Sequence, residues 1–322
     1  MVSIQIATTG GPDVLRLAHT TVGTPGPGEI LIRQTAIGLN FIDVYHRSGL
    51  YPVPLPSGIG LEAAGIVEAA GPGVTLTPGM RVGYCWGPIG AYADRRLIAA
   101  ERVVVLPDAV SDEQAAAGLL KGCTAEFLVE RCARVQAGQT VLVHAAAGGV
   151  GQLLVQWLKH IGARVIAVAG SEAKLAVARR CGADEMLLQD TADLAGAVRD
   201  LTGGDGVDVV FDGVGKATFE TSLDSLKRRG LLVSYGNASG PVGPFDFGVL
   251  ARKGSLFATR PTLFDYYTDR AEIERHAGRV LALIASGVLK ISIDQRYSLA
   301  DAAQAHRDLE SRRTTGSSLM LP

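Results

Sequence analysis

The sequence predicts an α/β protein with a doubly wound parallel sheet and a second, β-rich domain. Three observations predict it. From about residue 125, apolar strand-like runs alternate with helical segments of crossover length; the first third instead carries short β-like runs broken by Gly and Pro; and a glycine-rich turn sits at the first strand–helix junction of the alternating part. At 322 residues the chain has room for about two domains with cores of their own, at roughly 150 residues per domain.

In the first third the β-like runs are Glu29 to Arg33, Gly65 to Ala70, Arg81 to Tyr84 and Arg102 to Leu106. Turn signals at Gly10-Gly11-Pro12, Pro25-Gly26-Pro27-Gly28, Gly71-Pro72-Gly73 and Pro78-Gly79 punctuate them, a spacing that suits an irregular, mostly antiparallel, partly closed barrel. Val110 to Leu120 reads as a helix opened by a Ser111-x-x-Gln114 capping box. The alternating part then offers strands at Thr140–Ala146, Arg164–Ala169, Glu185–Gln189, Val207–Asp212, Leu231–Tyr235 and Ser255–Thr259, with helices at Val150–Ile161, Glu172–Cys181 and Leu194–Leu201. Near-continuous apolar strands of this kind are what burial on both faces demands. The tail reads as helix Glu272–Ser286, strand Ile291–Tyr297, helix Leu299–Ser311 and a last apolar strand.

Composition excludes several classes of function. Lys plus Arg number 31 and Asp plus Glu 32, a net charge of −1, so no positive field gathers nucleic acid or acidic membranes. Cys85, Cys123, Cys132 and Cys181 form no CxxC pair, which fits reduced thiols and argues against structural zinc. The first residues, Met1 to Ile6, lack a basic segment ahead of an apolar run, so no secretion signal is read and a cytoplasmic location is expected. Val135–Leu158 lacks Asp, Glu, Lys and Arg, but its glutamines, His144 and glycine cluster mark a buried strand and helix rather than a membrane span. The one anomaly is glycine, 40 residues, about 12 % against a usual ~7 %.

Part of that excess lies at Ala145-Ala146-Ala147-Gly148-Gly149-Val150-Gly151, between a strand and a long helix. This is the context of a dinucleotide turn, where glycines let the backbone approach a pyrophosphate and the helix start offers N–H groups. The pattern departs from GxGxxG, because Ala145 or Ala146 holds the first glycine position. An acidic residue at the end of the second strand would select NAD. Here that strand runs into Gly170-Ser171-Glu172-Ala173-Lys174, leaving space for a 2′-phosphate with Ser171 and Lys174 as hydroxyl and cation. NADPH is therefore favoured over NADH. Glu172 opposes this if it points inward, and Lys174 reads equally as a solvated lysine.

Further motifs complete a pattern: Asn40-Phe41-Ile42-Asp43 with Tyr45, Arg47-Ser48-Gly49-Leu50-Tyr51-Pro52, Leu120-Lys121-Gly122-x-Thr124, Gly236-Asn237-x-Ser239-Gly240, Thr259-Arg260-Pro261 and Gly316-Ser317-Ser318-Leu319. With the glycine turn, from about residue 3 to the C-terminus in one register, they resemble the NADPH-dependent quinone oxidoreductases, the zinc-independent, ζ-crystallin-like branch of the medium-chain dehydrogenase/reductase superfamily. The resemblance implies a GroES-like catalytic domain (1–124 and 261–322), a Rossmann NADPH-binding domain (125–260), a cofactor cleft between them, and a homodimer formed near Ser255–Thr259.

Zinc-dependent relatives place a Cys where this chain has Asn40 and a His-Glu pair where it has Leu61-Glu62. Asn40 and Leu61 cannot replace those ligands, and catalytic zinc needs about three from the protein. The four-cysteine lobe of those relatives is also missing between Gly87 and Leu97, and Cys123, near the third ligand, reads as a packed thiol. Without a Lewis acid the substrate should be an intrinsically good hydride acceptor. Quinones qualify, since hydride addition gives an aromatic hydroquinone anion.

For the catalytic side the resemblance implies Asn40 as a neutral hydrogen-bond donor in place of the metal ligand, with Asp43, Tyr45 and Tyr51 nearby. Tyr51 is the preferred contact for a quinone oxygen; Tyr45 stands equally for contact or packing, and Asn40 also reads as fixing a loop. Solvent can protonate the product anion, and His46 beside Arg47 reads as a surface histidine. On the cofactor side the resemblance implies Thr124 and Phe127 near the nicotinamide ribose, Gly149 and Val150 at the pyrophosphate, and Gly170, Ser171 and Lys174 at the 2′-phosphate. It also implies Val214, Tyr235, Gly236 and Asn237 along the nicotinamide, Arg312 from the C-terminal segment, and Gln189 where relatives often carry an aromatic residue against adenine. Two other readings compete: an enone or 2-alkenal reductase on the same scaffold, and an NADPH-binding structural or RNA-binding protein. The near-neutral charge, the lack of a basic run and the Asn40–Tyr51 segment argue against the last.

Overall fold

The computed structural model describes residues 1–311 and 313–322; Arg312 lies outside the described residues. The chain forms two compact units, residues 1–123 with 267–322, and residues 124–266. The first crossing falls within one helix and the second between adjacent tyrosines. Tyr266 stacks on Phe127 at 4.6 Å within the second unit, whereas Tyr267 stacks on Trp86 at 5.4 Å within the first. Residues 261–266 thereby pack with the second unit, past the boundary at residue 260 read from the sequence.

In chain order the first unit begins with β1 (Val2–Ile6), β2 (Arg16–His19), β3 (Glu29–Leu39), α1 (Phe41–Ser48), β4 (Ser57–Gly58), β5 (Ala63–Ala70), β6 (Arg81–Tyr84), β7 (Arg95–Ala99), β8 (Val104–Val105) and α2 (Asp112–Glu126). The second unit contributes β9 (Thr140–Val143), α3 (Gly149–His160), β10 (Arg164–Ala169), α4 (Glu172–Arg180), β11 (Glu185–Leu188), α5 (Leu194–Leu201), β12 (Val207–Asp212), α6 (Phe219–Ser225), β13 (Leu226–Ser234), α7 (Gly248–Arg252) and β14 (Phe257–Thr259). The chain returns to the first unit with α8 (Arg270–Glu272), a π-helical stretch (Ile273–Ala277), α9 (Gly278–Ala285), β15 (Ile293–Ser298), α10 (Ala302–Glu310) and β16 (Ser317–Leu321).

The second unit is the doubly wound sheet expected, with strand order β11-β10-β9-β12-β13-β14 and every pairing parallel. Its strands are apolar because both faces are covered: Val141, Leu142, Val143, Val165, Ile166, Val168, Val210 and Phe211 are buried. Leu142, Ile166, Val168, Val210 and Leu232 pack with Leu194, Val198 and Leu223 from α5 and α6.

The first unit holds a largely antiparallel sheet, β15-β16-β3-β5-β6-β8 with β7 also on β3, in which only β15 and β16 pair in parallel, and a small sheet β2-β1-β4. The C-terminal β16 lies against β3 (Leu319 opposite Gly38), so the tail closes the domain begun by the N-terminus. β3 is longer than the sequence run, continuing through Gln34 to Leu39. A glutamine can occupy this buried strand because its amide donates to the carbonyls of Ala91 (2.8 Å) and Ala93 and accepts from the Tyr84 hydroxyl. The expected strand Arg102–Leu106 is instead a 3₁₀ turn, Ala100–Arg102, followed by the short β8. The Ser111–Gln114 capping box forms, through Gln114 N to Ser111 Oγ (3.1 Å) and Ser111 N to Gln114 Oε1 (2.9 Å). β1 and β2, which the sequence reading left unassigned, form a hairpin with Val2 opposite His19.

Candidate active site

In the first unit β3 delivers Leu39 directly to Asn40, the N-cap of α1. The cap is reciprocal. Asn40 N donates to Asp43 Oδ2 at 2.9 Å, while the Asn40 side chain accepts from the Asp43 backbone. Asn40 Nδ2 also donates to Glu62 Oε2 at 2.9 Å. The amide is thus clamped at both ends, and Asn40 is 5 % exposed.

Glu62 is the hidden part of this arrangement. Fully buried, it accepts from Leu120 N at 2.6 Å through Oε1 and faces Lys121 Nζ at 3.6 Å. Burial pushes its carboxyl above the usual range, against the pull of Lys121 and the Asn40 amide. Gly38 admits this carboxylate: a Cβ there would lie 2.4 Å from Glu62 Oε2 and 2.2 Å from the Ala116 carbonyl. Leu61, also buried, precedes it. Among the described residues no group of three or more His, Cys, Asp or Glu side chains is placed to hold a metal ion. Cys123 is fully buried beside Cys85, whose thiol is pushed up by burial and by that contact.

The four residues expected on the catalytic side form two pairs. Asn40 and Asp43 make the capping box; Tyr45 and Tyr51 meet edge to face at 5.1 Å, with Tyr51 N bonded to Tyr45 O at 3.0 Å. Tyr51 is half-buried, Tyr45 is buried, and Asp43 is fully buried, its Oδ2 also accepting from the Tyr92 hydroxyl at 2.9 Å. His46 is not a surface residue as expected. It is 8 % exposed, its ring lies 6.0 Å from Tyr51, and burial lowers its basicity. Arg47 beside it is 2 % exposed, because α1 turns this face toward Gly10 and Glu310, where the guanidinium finds its partners.

In the second unit β9 feeds the glycine turn. Ala145, one of the two candidates for the first glycine position, adopts φ 51°, the left-handed conformation a glycine would supply. Gly148 caps α3 and, with Gly149 and Val150, is half-buried at the helix start. A Cβ on Gly151 would lie 2.3 Å from the Ala145 carbonyl oxygen and 2.8 Å from Ala146 Cα, so the helix packs on the strand without room for a side chain. At the end of β10 Gly170 is exposed, with open space where a Cβ would stand. Ser171 Oγ caps α4 by accepting from Lys174 N at 3.4 Å; Glu172 is exposed and Lys174 half-buried. Gln189 N bonds Ala169 O at 2.9 Å, which sets Gln189 beside the same strand end. Gln189 lines a cavity of about 210 Å³ together with Thr191, Asp193, Leu194, Thr218 and Thr221.

The remaining cofactor candidates gather at the ends of β12 and β13. Tyr235 N donates to Asp212 O at 2.8 Å, and the Tyr235 ring lies over Gly213, 2.8 Å from where a Cβ would be. Gly236 is equally tight, its missing Cβ falling 2.3 Å from Gly213 O. Asn237, with its amide oriented to satisfy both neighbours, donates to Gly236 O and accepts from Arg260, each at 3.0 Å. Val214 is buried, Thr124 half-buried, and Phe127 buried against Tyr266.

Asp212, which sequence reasoning passed over, organises this corner. Its Oδ1 accepts from Val214 N (2.8 Å) and Gly215 N (3.0 Å), and its Oδ2 from Thr218 Oγ1 (2.7 Å) and Ser222 Oγ (2.8 Å). His144 Nε2 meets Ser222 Oγ at 3.2 Å, and burial holds its ring neutral. Because the serine bonds the aspartate directly and all three side chains are buried, this is a positioning network and not a nucleophile with its base.

Comparison with known proteins agrees with both units. Residues 26–108 match the family described as alcohol dehydrogenase GroES-like domain, and residues 149–266 the family described as zinc-binding dehydrogenase. A quinone oxidoreductase of Pseudomonas aeruginosa is 49 % identical over 321 residues, 99 % of each chain. A 2-haloacrylate reductase of a Burkholderia species is 44 % identical over 97 % of this chain and 96 % of its own. The crystal structure of Escherichia coli quinone oxidoreductase complexed with NADPH superposes with a TM-score of 0.98 at 45 % identity, covering 100 % of both chains. The chain belongs to the quinone oxidoreductase family of the medium-chain dehydrogenase/reductase superfamily.

Proposed function

We propose that this enzyme is an NADPH-dependent quinone reductase whose site works without a metal. The observation that carries the metal-free reading is Asn40: where zinc-dependent relatives place a cysteine, this chain has an amide whose oxygen caps α1 and whose nitrogen bonds Glu62 at 2.9 Å. Such an amide is neutral and rigid, with one N–H left to direct at a ligand.

The residues of the second unit fit NADPH. The start of α3 supplies N–H groups and the positive dipole end for a pyrophosphate at Gly149 and Val150, and the open space at Gly170 beside Ser171 and Lys174 suits a 2′-phosphate. Val214 and Tyr235, fixed by Asp212, would line the nicotinamide together with Gly236 and Asn237, with Thr124 and Phe127 toward its ribose. Gln189 would border the adenine. NADPH, when bound, supplies the hydride. Asn40 and the half-buried Tyr51 then orient the acceptor and donate hydrogen bonds to the oxygen on which negative charge grows, with Tyr45 bracing Tyr51. The unit of residues 1–123 with 267–322 would serve as the catalytic domain and that of residues 124–266 as the NADPH domain.

The full-length likeness to a 2-haloacrylate reductase favours one second reading, an enone-type reductase. With NADPH at a fixed concentration, 1,4-benzoquinone should turn over faster than an equal concentration of 2-alkenal or 2-chloroacrylate. Faster turnover of either alkene would overturn the quinone assignment. Replacement of Lys174 by Ala is expected to weaken NADPH by about ten- to a hundredfold, the loss of a charge-assisted contact, while NADH is little affected. Equal weakening of both would remove Lys174 from the 2′-phosphate site.

The reading includes a homodimer. β14 is the edge of the six-stranded sheet, and Phe257 on it is 60 % exposed, an apolar edge of the kind that pairs with a second chain. Light scattering should report a dimer, and Phe257→Glu a monomer; a monomeric wild type contradicts this. No helix among the described residues is long and apolar enough to cross a membrane. The reading keeps the protein in the cytoplasm without a membrane or nucleic-acid partner, on the ground of its near-neutral charge.

A further inference from the structure

Tyr92, His306 and Arg47 are buried polar side chains of the first unit to which the hydride-transfer reading gives no role. Together with Asp43 they form one chain of hydrogen bonds. Arg47 Nη1 lies 3.2 Å from His306 Nδ1, His306 Nε2 lies 3.0 Å from the Tyr92 hydroxyl, and that hydroxyl donates to Asp43 Oδ2 at 2.9 Å. A guanidinium can only donate. His306 Nδ1 therefore accepts, the ring hydrogen sits on Nε2 and donates to the Tyr92 oxygen, and the Tyr92 O–H has no direction left but toward Asp43. The far end is anchored by Glu310, which accepts from both Arg47 Nη1 and Nη2 at 2.8 Å. At the near end Asp43 Oδ1 has no hydrogen-bond partner among the described residues.

We propose that Asp43 and His306, bridged by the Tyr92 hydroxyl and polarised by Arg47, form a unit that holds a single proton, so that Tyr92 and His306, the latter on the C-terminal helix α10, are positioning residues that set the charge on the carboxylate bonded to Asn40. The link to catalysis rests on the reading of Asn40 given above; the proton unit itself does not.

The groups facing the pair agree. Burial pushes Asp43 up to about 7 from 3.8, opposed by Asn40 N, Tyr92 and Lys121 and assisted by Glu62. Burial and Arg47 push His306 down to about 3 from 6.5. An aspartate with a raised pKa binds its proton more tightly in the folded state, so its contribution to stability falls as pH rises from 3.8 to about 7. A histidine with a lowered pKa is protonated mainly in the unfolded state, so its contribution grows as pH rises from about 3 to 6.5. In the window shared by the two ranges, the folded pair holds one proton on Asp43 and the unfolded pair one on His306, and the two slopes cancel.

Urea unfolding of the full chain across this window tests the unit. Relative to wild type, the folding constant of His306→Gln should fall about tenfold per pH unit, and that of Asp43→Asn should rise about tenfold per pH unit, as one proton of linkage requires. Curves parallel to wild type would overturn the proposal. Should Asp43→Asn fail to fold, Tyr92→Phe replaces it: loss of the Tyr92 donor moves the ionisation seen in the pH profile of quinone kcat/KM to higher pH, with KM for NADPH unchanged. An unmoved ionisation would overturn the positioning role. Absence of quinone reduction by wild type at every pH would instead sink the functional reading and leave the unfolding comparison standing.

Discussion

Replacing Gly151 by Ala is expected to cost folding stability and NADPH binding together. The new Cβ would stand 2.3 Å from the Ala145 carbonyl oxygen and under 3 Å from Ala146 Cα and C. All three are backbone atoms, so no side-chain rotation relieves the overlap, and α3 must move away from β9. Overpacking of this kind costs about 3 kcal/mol, a large part of an ordinary domain's stability. The displacement also shifts the N–H groups of Gly149 and Val150, so NADPH binding should weaken by at least tenfold, ~1.4 kcal/mol. Gly170→Ala is the control, because no atom lies within 4 Å of its added methyl; its unfolding temperature should match wild type. A Gly151→Ala protein with wild-type unfolding temperature and NADPH affinity would refute the packing argument.

The second large effect is expected at Arg47. This guanidinium is 2 % exposed and bonds Gly10 O at 3.1 Å, His306 Nδ1 at 3.2 Å and both oxygens of Glu310. Arg47→Met keeps most of the volume but strands the Gly10 carbonyl and the His306 nitrogen inside the protein. Removal of one partner from a buried pair costs about 3–5 kcal/mol; the lower end is expected here, because Glu310 is about a third exposed and water rescreens it. Arg47→Lys should recover little, since an ammonium cannot reproduce the fork that reaches three partners. Chemical denaturation of the three proteins checks this, and a Lys variant as stable as wild type would mean that charge alone suffices.

The sequence shows how such effects divide into legible and hidden ones. β10, β12 and α5 carry the bounds read from the chain, because continuous apolar strands and a short amphipathic helix leave a local signature. The glycine turn was legible for the same reason: its chemistry lies within neighbouring residues. β2 was not, since Arg16–His19 is short and mostly exposed, with no run of apolar residues, and becomes a strand only by pairing with β1. The surroundings of Asn40 were half legible. Asn40, Asp43, Tyr45 and Tyr51 are close in sequence and could be grouped, but Glu62, Tyr92 and His306 reach them from β5's approach, from the segment before β7 and from the C-terminal helix. The unread clue was a charged residue inside the apolar run Ile59–Val67. A buried glutamate needs partners, and the Asn40 amide is one of them. His46 and Arg47 were misplaced because consecutive polar residues on a short helix normally face solvent, whereas here the C-terminal segment covers Arg47 and His46 packs beside Tyr51.

Hydride transfer from NADPH to a quinone should need no metal. It is tested most directly by the rate of NADPH oxidation with 1,4-benzoquinone before and after exhaustive dialysis against a strong chelator, with metal content measured in the same samples. Metal-depleted protein should oxidise NADPH at an unchanged rate. Loss of activity on chelation, restored by added zinc, would contradict it.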